Sequence, residues 1–487
     1  MSNLSELIPA GGGQNNTDFV ASGAITSGKP VILNSAGKAA PIVAAAGALG
    51  TEGEAPGGAK TSGVPGACYH SSEGTVVVSF NDPANSNYPY CAVATTSGTT
   101  VSLSTPLVLK STACSYNVCA YDSAQNRVVF HYKLNGAGNY AYLRAASLSG
   151  TTFTLGTEIN AWSGASAGST GDICKIADAK MVIVNGGVSG SSAQVVSISG
   201  STLTANTAVS MSGNASYPAR VASGKVDEFL CQFAYISSRI EFVAGTVSST
   251  TITGGTVTEL TGGSSYPNDL ASGYWNGQTS PESTYILAYH PPGGASGSQV
   301  ARVITVSGTT LTLGATTAIQ DSATNFTCMG WGNSATQALY FFRDGANGYV
   351  TELTYSGTTV TKGATTDVGA GRYASNAIVW DQTSNKALLF YYQASNNDYA
   401  TANCFTPSST NLTSTNLLGI ASGAILDTAT GTINTWGSRN EVQTSLTIGS
   451  DYYVQSDGTI TTASASPAQL IGEAITATQI NIKDYTG

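Results

Sequence analysis

The sequence predicts an all-β protein, with a seven-bladed β-propeller inserted in a small β-domain that the N- and C-termini form together. Three observations predict it. A short phrase recurs roughly every 50 residues, a second polar turn precedes each copy by about 30 residues, and the two ends of the chain resemble each other. A fixed period of this size without helical patterning is typical of propeller blades.

The recurring phrase reads Ser-Gly-Thr-Thr, then an apolar residue, then Thr or Ser. A turn residue that tolerates positive φ, followed by β-branched residues, is typical of a hairpin tip that leads into a strand. The fourth copy has Ser249 in place of glycine, and the seventh copy is the most divergent. The copies are Ser97–Ser102, Ser149–Thr154, Ser199–Thr204, Ser248–Thr253, Ser307–Thr312, Ser356–Thr361 and Ser409–Thr413.

The second hairpin of each unit has a polar tip followed by apolar residues, as in Tyr121–Phe130, Trp331–Tyr340 and Trp380–Leu389. Two hairpins give each unit four short strands. Continuous apolar runs such as Val76–Val78 suit strands that are buried on both faces, between neighbouring blades. We therefore expect seven units, from residue 62 to residue 416, to close a ring.

The flanks of the repeats predict the second domain. Val20–Ile25 resembles Ile420–Ile425, and Ser27–Leu33 resembles Ile448–Val454. We expect residues 1–45 and 417–487 to form one small β-domain for assembly or attachment, with the Gly/Ala/Pro-rich residues 46–61 as a linker. Propeller termini lie close together, so this insertion is topologically simple.

The composition argues against several classes of function. The chain has 487 residues, 10% of them charged, and a net charge of −9, which disfavours nucleic-acid binding. It has no run of 18 apolar residues that would predict membrane insertion, and its first residues lack the pattern of a secretion signal. The eight cysteines are spread over separate units, where we expect small buried thiols.

Two segments resemble a known family. Tyr121–Ile159 resembles a propeller repeat common in tail-fibre and other virion proteins of bacteriophages, and Leu446–Ile482 resembles a small β-domain that recurs at the ends of phage structural proteins. The resemblance implies a virion protein, made in the host cytoplasm, that acts as a tail fibre, spike or tail-associated protein in host attachment. It implies other tail proteins, further copies of this chain and a bacterial surface glycan as partners.

The sequence predicts no catalytic residue, metal site or cofactor. Asp122 and Asp381 lie at equivalent hairpin tips, where aspartate caps its own turn. The other acids considered, Glu158, Asp172, Asp269 and Asp344, are dispersed along the chain, as are His70, His131 and His290. We therefore expect no enzyme. The alternatives are a lectin-like surface propeller and a polysaccharide hydrolase.

Aromatic residues give the candidate binding site. In five units one stands 16 to 18 residues after the repeat glycine or its substitute, in the expected loop between blades. Tyrosine rings near Asn, Asp and Ser suit sugar binding, although regular recurrence also predicts packing between blades. The five are Tyr116, Tyr217, Tyr266, Phe326 and Tyr373. The candidate glycan contacts are the four tyrosines and Trp162, which lies in an irregular loop.

Overall fold

The computed structural model describes residues 15–136, 140–162, 170–187, 190–213, 216–235, 239–261, 283–289, 299–320, 324–331, 336–394, 398–464 and 469–483. These residues form strands, turns and two short 3-10 helices, Pro56–Gly58 and Pro83–Asn85. The chain divides into two compact units. Residues 1–47 and 408–487 contribute to the first, here called the small unit, and residues 48–407 form the second, the propeller.

The small unit contains two five-stranded antiparallel sheets and a short strand pair, Ala44–Ala45 with Ser409–Thr410. The first sheet combines strands from both ends of the chain. In spatial order it consists of Asn16–Val20, Thr430–Asn434, Leu417–Ala421, Pro30–Leu33 and Ala39–Pro41. The second sheet consists of Arg439–Asn440, Gln479–Ile482, Gln469–Thr476, Asp451–Val454 and Ile460–Thr461.

The two similar end segments pair with each other in a nearly symmetric way. The backbone N–H of Ile25 donates to the carbonyl of Ile425 at 2.8 Å, and the N–H of Ile425 donates to the carbonyl of Ile25 at 2.9 Å. Likewise Ala21 donates to the carbonyl of Ala429, as Ala421 donates to that of Lys29. The sequence likeness between the ends therefore reflects an internal repeat whose copies interlock.

The propeller is built from successive antiparallel strand sets, here called blades 1 to 7. In the described residues blade 1 is Ser62–His70, Thr75–Asp82, Tyr88–Ser97, Thr100–Leu103 and Leu107–Val108, and blade 2 is Cys114–Asp122, Arg127–Leu134, Ala141–Ser149 and Thr152–Trp162. Blade 3 is Thr170–Ala177, Lys180–Gly187, Gly190–Ser199, Thr202–Ala205 and Val209–Ser212, and blade 4 is Ser216–Ser223, Glu228–Tyr235, Arg239–Ser248, Thr251–Gly254 and Thr258–Thr261. Blade 5 is Ser283–Tyr289, Gln299–Ser307, Thr310–Leu313 and Thr317–Gln320; blade 6 is Thr324–Trp331, Gln337–Asp344, Asn347–Ser356 and Thr359–Ala370; blade 7 is Arg372–Asp381, Lys386–Gln393, Tyr399–Thr406, Ala48–Leu49 and Gly53–Glu54.

The core lies between the blades. Each apolar cluster of the propeller joins one blade to the next, as Val77 and Cys91 of blade 1 meet Phe130 and Tyr132 of blade 2. A cluster that contains Phe80 of blade 1 and Phe390 of blade 7 completes the ring. The predicted fold class, a propeller inserted in a small β-domain made from both chain ends, is confirmed.

The predicted boundaries of the propeller need correction. Residues 46–61 are not a plain linker, because Ala48–Leu49 and Gly53–Glu54 pair with Tyr399–Thr406 as the outer edge of blade 7. The seventh phrase, Ser409–Thr413, is not a blade tip either, since Ser409–Thr410 pairs with Ala44–Ala45 in the small unit. The propeller therefore spans residues 48–407 rather than 62–416.

The recurring phrase forms contacts between blades. Its glycine has positive φ, and a side chain from the preceding blade accepts a hydrogen bond from its N–H at 2.9 Å: Glu73 for Gly150, Gln125 for Gly200 and Glu228 for Gly308. The phrase thus fixes the spacing of neighbouring blades as well as turning the chain.

The ring closes through the same phrase. The N–H of Thr51, on the outer edge of blade 7, donates to the carbonyl of Thr99 in the tip of blade 1 at 2.6 Å. A Cβ atom at the adjacent Gly50 would lie 2.0 Å from that carbonyl oxygen, so only glycine fits there. Blade 7 therefore contacts blade 1 through a strand that precedes blade 1 in sequence.

Candidate functional site

Tyr116 does not form a surface stacking platform. It lies in the inner strand of blade 2, not in a loop, and its side chain is fully buried. Its hydroxyl is 3.0 Å from Nε2 of His131, and a Cβ at Gly171 of blade 3 would lie 2.6 Å from that hydroxyl oxygen. The ring packs across Gly171 between blades 2 and 3, so the predicted glycan contact at Tyr116 is wrong.

His131 bridges the same two blades as a neutral imidazole. Its Nδ1 lies 3.3 Å from the carbonyl oxygen of Asp172, which assigns the ring proton to Nδ1 and leaves Nε2 to accept from Tyr116. Burial lowers the pKa of His131 to about 3. The imidazole therefore links the blades and has no surface exposed for acid–base chemistry.

Asp172 makes the next link, between blades 3 and 4. Its carboxylate accepts hydrogen bonds from the backbone N–H groups of Ile173 at 2.9 Å and Val221 at 3.1 Å. Burial raises the pKa of Asp172, and the positive charge of Arg220 acts in the opposite direction. Hydrogen bonds between polar groups near the inner strands thus connect blade 2 to blade 3 and blade 3 to blade 4.

Of the predicted glycan contacts, Trp162 lies beside these buried polar residues. It ends the outer strand of blade 2, and its half-buried ring packs against the cluster that contains Tyr116. The ring centroids of Trp162 and His131 are 6.3 Å apart. Tyr217 and Tyr373 belong to the inner strands of blades 4 and 7, with their side chains outside the described residues, and Tyr266 lies wholly outside them.

The acidic residues have structural partners. Asp122 accepts from the N–H groups of Gln125 and of Ala179 in blade 3, both at 2.8 Å. Asp381 accepts from Thr383 and Ser384, as expected of a turn cap. Asp269 lies outside the described residues. Within the described ranges, no three His, Cys, Asp or Glu side chains gather as a metal site, and no helix is suited to crossing a membrane.

The sequence reasoning missed a recurring pair of aromatic rings. In blades 1, 2 and 6 a buried ring of the second strand stacks beside a half-buried tyrosine directly opposite it in the third strand. The pairs are Phe80–Tyr90 at 6.0 Å, Tyr132–Tyr142 at 6.3 Å and Phe342–Tyr349 at 5.6 Å between ring centroids. The sequence signal is a tyrosine 7 residues before the serine of the phrase.

Among the described residues, blade 2 is the only blade in which an ion pair lies beside such a ring pair. Glu158 of the outer strand accepts from Nζ of Lys110 at 2.8 Å and from the hydroxyl of Tyr132 at 2.5 Å. Lys110 belongs to the segment that joins blades 1 and 2. We call the cluster of Lys110, Tyr132, Tyr140, Tyr142 and Glu158 the blade 1–2 seam. Its aromatic surface beside both a donor and an acceptor suits a polyhydroxylated ligand.

Comparison with known proteins supports the fold. No protein-family model and no curated protein matches the sequence. The chain is similar to the BP39L lectin from Burkholderia pseudomallei, with 11% identity and a TM-score of 0.51 over 72% of this chain and 98% of the lectin.

Two further solved structures are similar at lower TM-scores. They are the Swd1 β-propeller domain from Myceliophteria thermophila (8% identity, TM-score 0.43, 72% of this chain and 98% of that one) and a PL25 ulvan lyase bound to a saccharide (10% identity, TM-score 0.45, 70% and 93%). At TM-scores below 0.5 these two likenesses carry no argument, and the similarity to the lectin, at 11% identity, shows the β-propeller fold alone.

Proposed function

We propose that the protein is a non-enzymatic virion component of a bacteriophage, a tail fibre, spike or tail-associated protein that contributes to attachment to the host surface. In this proposal the small unit joins the chain to other tail proteins or to further copies of itself. The propeller carries the receptor contacts. The resemblance of Tyr121–Ile159 and Leu446–Ile482 to phage structural proteins supports this assignment.

The uneven distribution of exposed apolar side chains carries the proposal. Seven of the eight large exposed apolar side chains in the described residues belong to the small unit, although it holds about a quarter of the chain. A concentration of exposed apolar side chains in one unit favours that unit as the region that contacts other proteins. The seven are Val20, Val43, Leu426, Trp436, Val442, Ile448 and Ile475, and the one in the propeller is Val226.

The absence of enzymatic activity is part of the proposal. A glycosidase needs two carboxyl groups facing a cleft, one of them free to exchange a proton. Here Asp122 and Asp381 hold turns, Asp172 holds two blades together, and Glu158 is paired with Lys110. These engagements favour a display role for the propeller.

The test uses virus particles produced from the genome that encodes this chain. We expect peptides of the chain in density-purified particles, and antibodies against the propeller should label the particle exterior. A double variant, Leu426→Ser with Ile448→Ser, should fold and yet be lost from particles, because the two side chains are 77% and 67% exposed.

The matched control is Val226→Ser, which removes the 72% exposed valine of the propeller and should not affect incorporation. Absence of the wild-type chain from purified particles, when it is abundant in the lysate, would overturn the proposed function. Equal incorporation of the double variant would show that the small unit is not the assembly region. Release of reducing sugars from host polysaccharide by the purified chain would refute the non-enzymatic role.

A further inference from the structure

We propose that the blade 1–2 seam binds a saccharide with two adjacent free hydroxyl groups, through Tyr142, Glu158 and Lys110. The inference rests on the proposed function, since it supplies a receptor chemistry for host attachment. The proposed glycan site consists of different residues from the predicted glycan contacts, and the repeat pattern alone did not identify these residues.

The aromatic part of the seam is held in place before any ligand arrives. The half-buried ring of Tyr142 lies nearly parallel to the buried ring of Tyr132, at 6.3 Å and 20°. Tyr140 meets Tyr142 edge to face, at 6.4 Å and 79°. A tyrosine held on two sides loses little conformational freedom on binding, and the C–H face of a sugar ring packs well against such a surface.

The polar part offers donors and acceptors side by side. In the described part of the chain each oxygen of Glu158 accepts one hydrogen bond, from Lys110 or from Tyr132, which leaves each oxygen a second lone pair. The ammonium of Lys110 has three N–H groups, and its side chain is 42% exposed.

One hydroxyl can therefore accept from Lys110 while its neighbour donates to Glu158. Hydrogen bonds to charged groups are stronger than those between neutral groups, and an existing ion pair fixes their geometry. Two adjacent hydroxyl groups on one sugar ring match this arrangement, whereas an apolar ligand would remove water from the ion pair without offering it a hydrogen bond.

Blades 6 and 7 each have only part of this combination. Blade 6 has the equivalent rings, but Thr365 replaces Glu158 and its hydroxyl is bonded to that of Thr351 at 2.7 Å. Blade 7 has the equivalent carboxylate bond, from the hydroxyl of Tyr391 to Glu52 at 2.7 Å, but a buried threonine, Thr401, stands where blade 2 has Tyr142.

The experiment measures saturation-transfer difference NMR on the full chain. The probes are methyl glycosides of mannose, galactose, glucose, rhamnose and fucose, each compared with its permethylated derivative. We expect transfer to at least one glycoside and none to its permethylated form, which cannot donate to Glu158. The variants Tyr142→Ala, Glu158→Gln and Lys110→Ala should each weaken binding about tenfold or more.

Tyr349→Ala is the matched control, because it removes the equivalent ring where the carboxylate is missing. It should lower thermal stability about as much as Tyr142→Ala and leave saccharide binding unchanged. The exposed Lys110→Ala variant tests the site without disturbing the ring packing.

Three results would overturn the site: no transfer to any glycoside of the panel, binding that survives all three seam variants, or an equal loss in Tyr349→Ala. These results are distinct from a failure of the proposed function. A chain found in virus particles that binds no saccharide refutes the seam site alone, whereas a saccharide-binding chain absent from particles refutes the virion role alone.

Discussion

The propeller and the small unit hold their strands together by different means. In the propeller each blade packs on the next one in sequence, and blade 7, whose outer edge residues 48–54 supply, packs on blade 1. In the small unit the first sheet exists only because residues 16–41 meet residues 417–434. The propeller also buries most of its large apolar side chains, while the small unit exposes several. Local packing thus gives the propeller a self-sufficient core, whereas the first sheet of the small unit depends on both chain ends.

The largest expected effect comes from removing one end. Deleting residues 1–45 removes three of the five strands of the first sheet, Asn16–Val20, Pro30–Leu33 and Ala39–Pro41, and leaves the closing strand of blade 7 intact. Hydrogen exchange should then show lost protection in Leu417–Ala421 and Thr430–Asn434, the two strands of the first sheet that remain, and a protected propeller. A fragment of residues 417–487 that folds alone, with the protection it has in the full chain, would contradict this dependence.

A smaller effect should follow from a single methyl group at the ring closure. In Gly50→Ala the added carbon would meet the carbonyl oxygen of Thr99 at 2.0 Å and the sulfur of Cys404 at 2.4 Å. The backbone must shift, so we expect a loss of about 3 kcal/mol in the free energy of unfolding of the propeller, measured by urea denaturation.

The control for the closure is Gly98→Ala at the tip of blade 1. Its φ is +60° but nothing lies within 4 Å of the added carbon, so the loss should be about 1 kcal/mol. Equal losses in the two variants would mean that backbone strain, and not the contact between blades 7 and 1, decides the cost.

The third prediction concerns pH and the link between blades 2 and 3. Burial lowers the pKa of His131 from 6.5 to about 3, so its contribution to stability is complete above pH 6.5 and is lost as the pH falls toward 3. At about 1.4 kcal/mol per pKa unit this amounts to several kcal/mol. In His131→Gln the free energy of unfolding should vary less between pH 7 and pH 4.

Some pH dependence should remain in that variant, because burial also lowers the pKa of His70. The variant should also be less stable than the wild type at pH 7, since it loses the bond to Tyr116. Parallel stability curves for the two proteins would contradict the assignment of a neutral, interior imidazole at position 131.

The repeat pattern predicted most of the propeller because its cause is local. A glycine at positive φ turns the chain at Gly150 or Gly200 whatever lies elsewhere, so the phrase recurs wherever a tip is needed. The likeness of the two chain ends predicted the small unit for a similar reason, since each copy repeats the same turns and short strands.

The outer strand of blade 7 was missed because its partner lies some 350 residues away, although a signal existed. Leu49-Gly50-Thr51-Glu52 repeats Leu155-Gly156-Thr157-Glu158, the outer strand of blade 2. The repeat period also identified Tyr116 as a recurring aromatic position, but it did not predict that the side chain is buried. That burial depends on Gly171 in the next blade, which the pattern within one repeat does not contain.

The closure of the ring has a consequence for synthesis on the ribosome. Residues 48–54 leave the ribosome before blade 1, yet their partner strand ends at Thr406. At about 5 to 20 residues per second the first segment waits roughly 20 to 70 seconds for that partner. During this time it is an unpaired edge, and Gly50 and Gly53, a residue type that disfavours strand pairing, lower its tendency to pair with another chain.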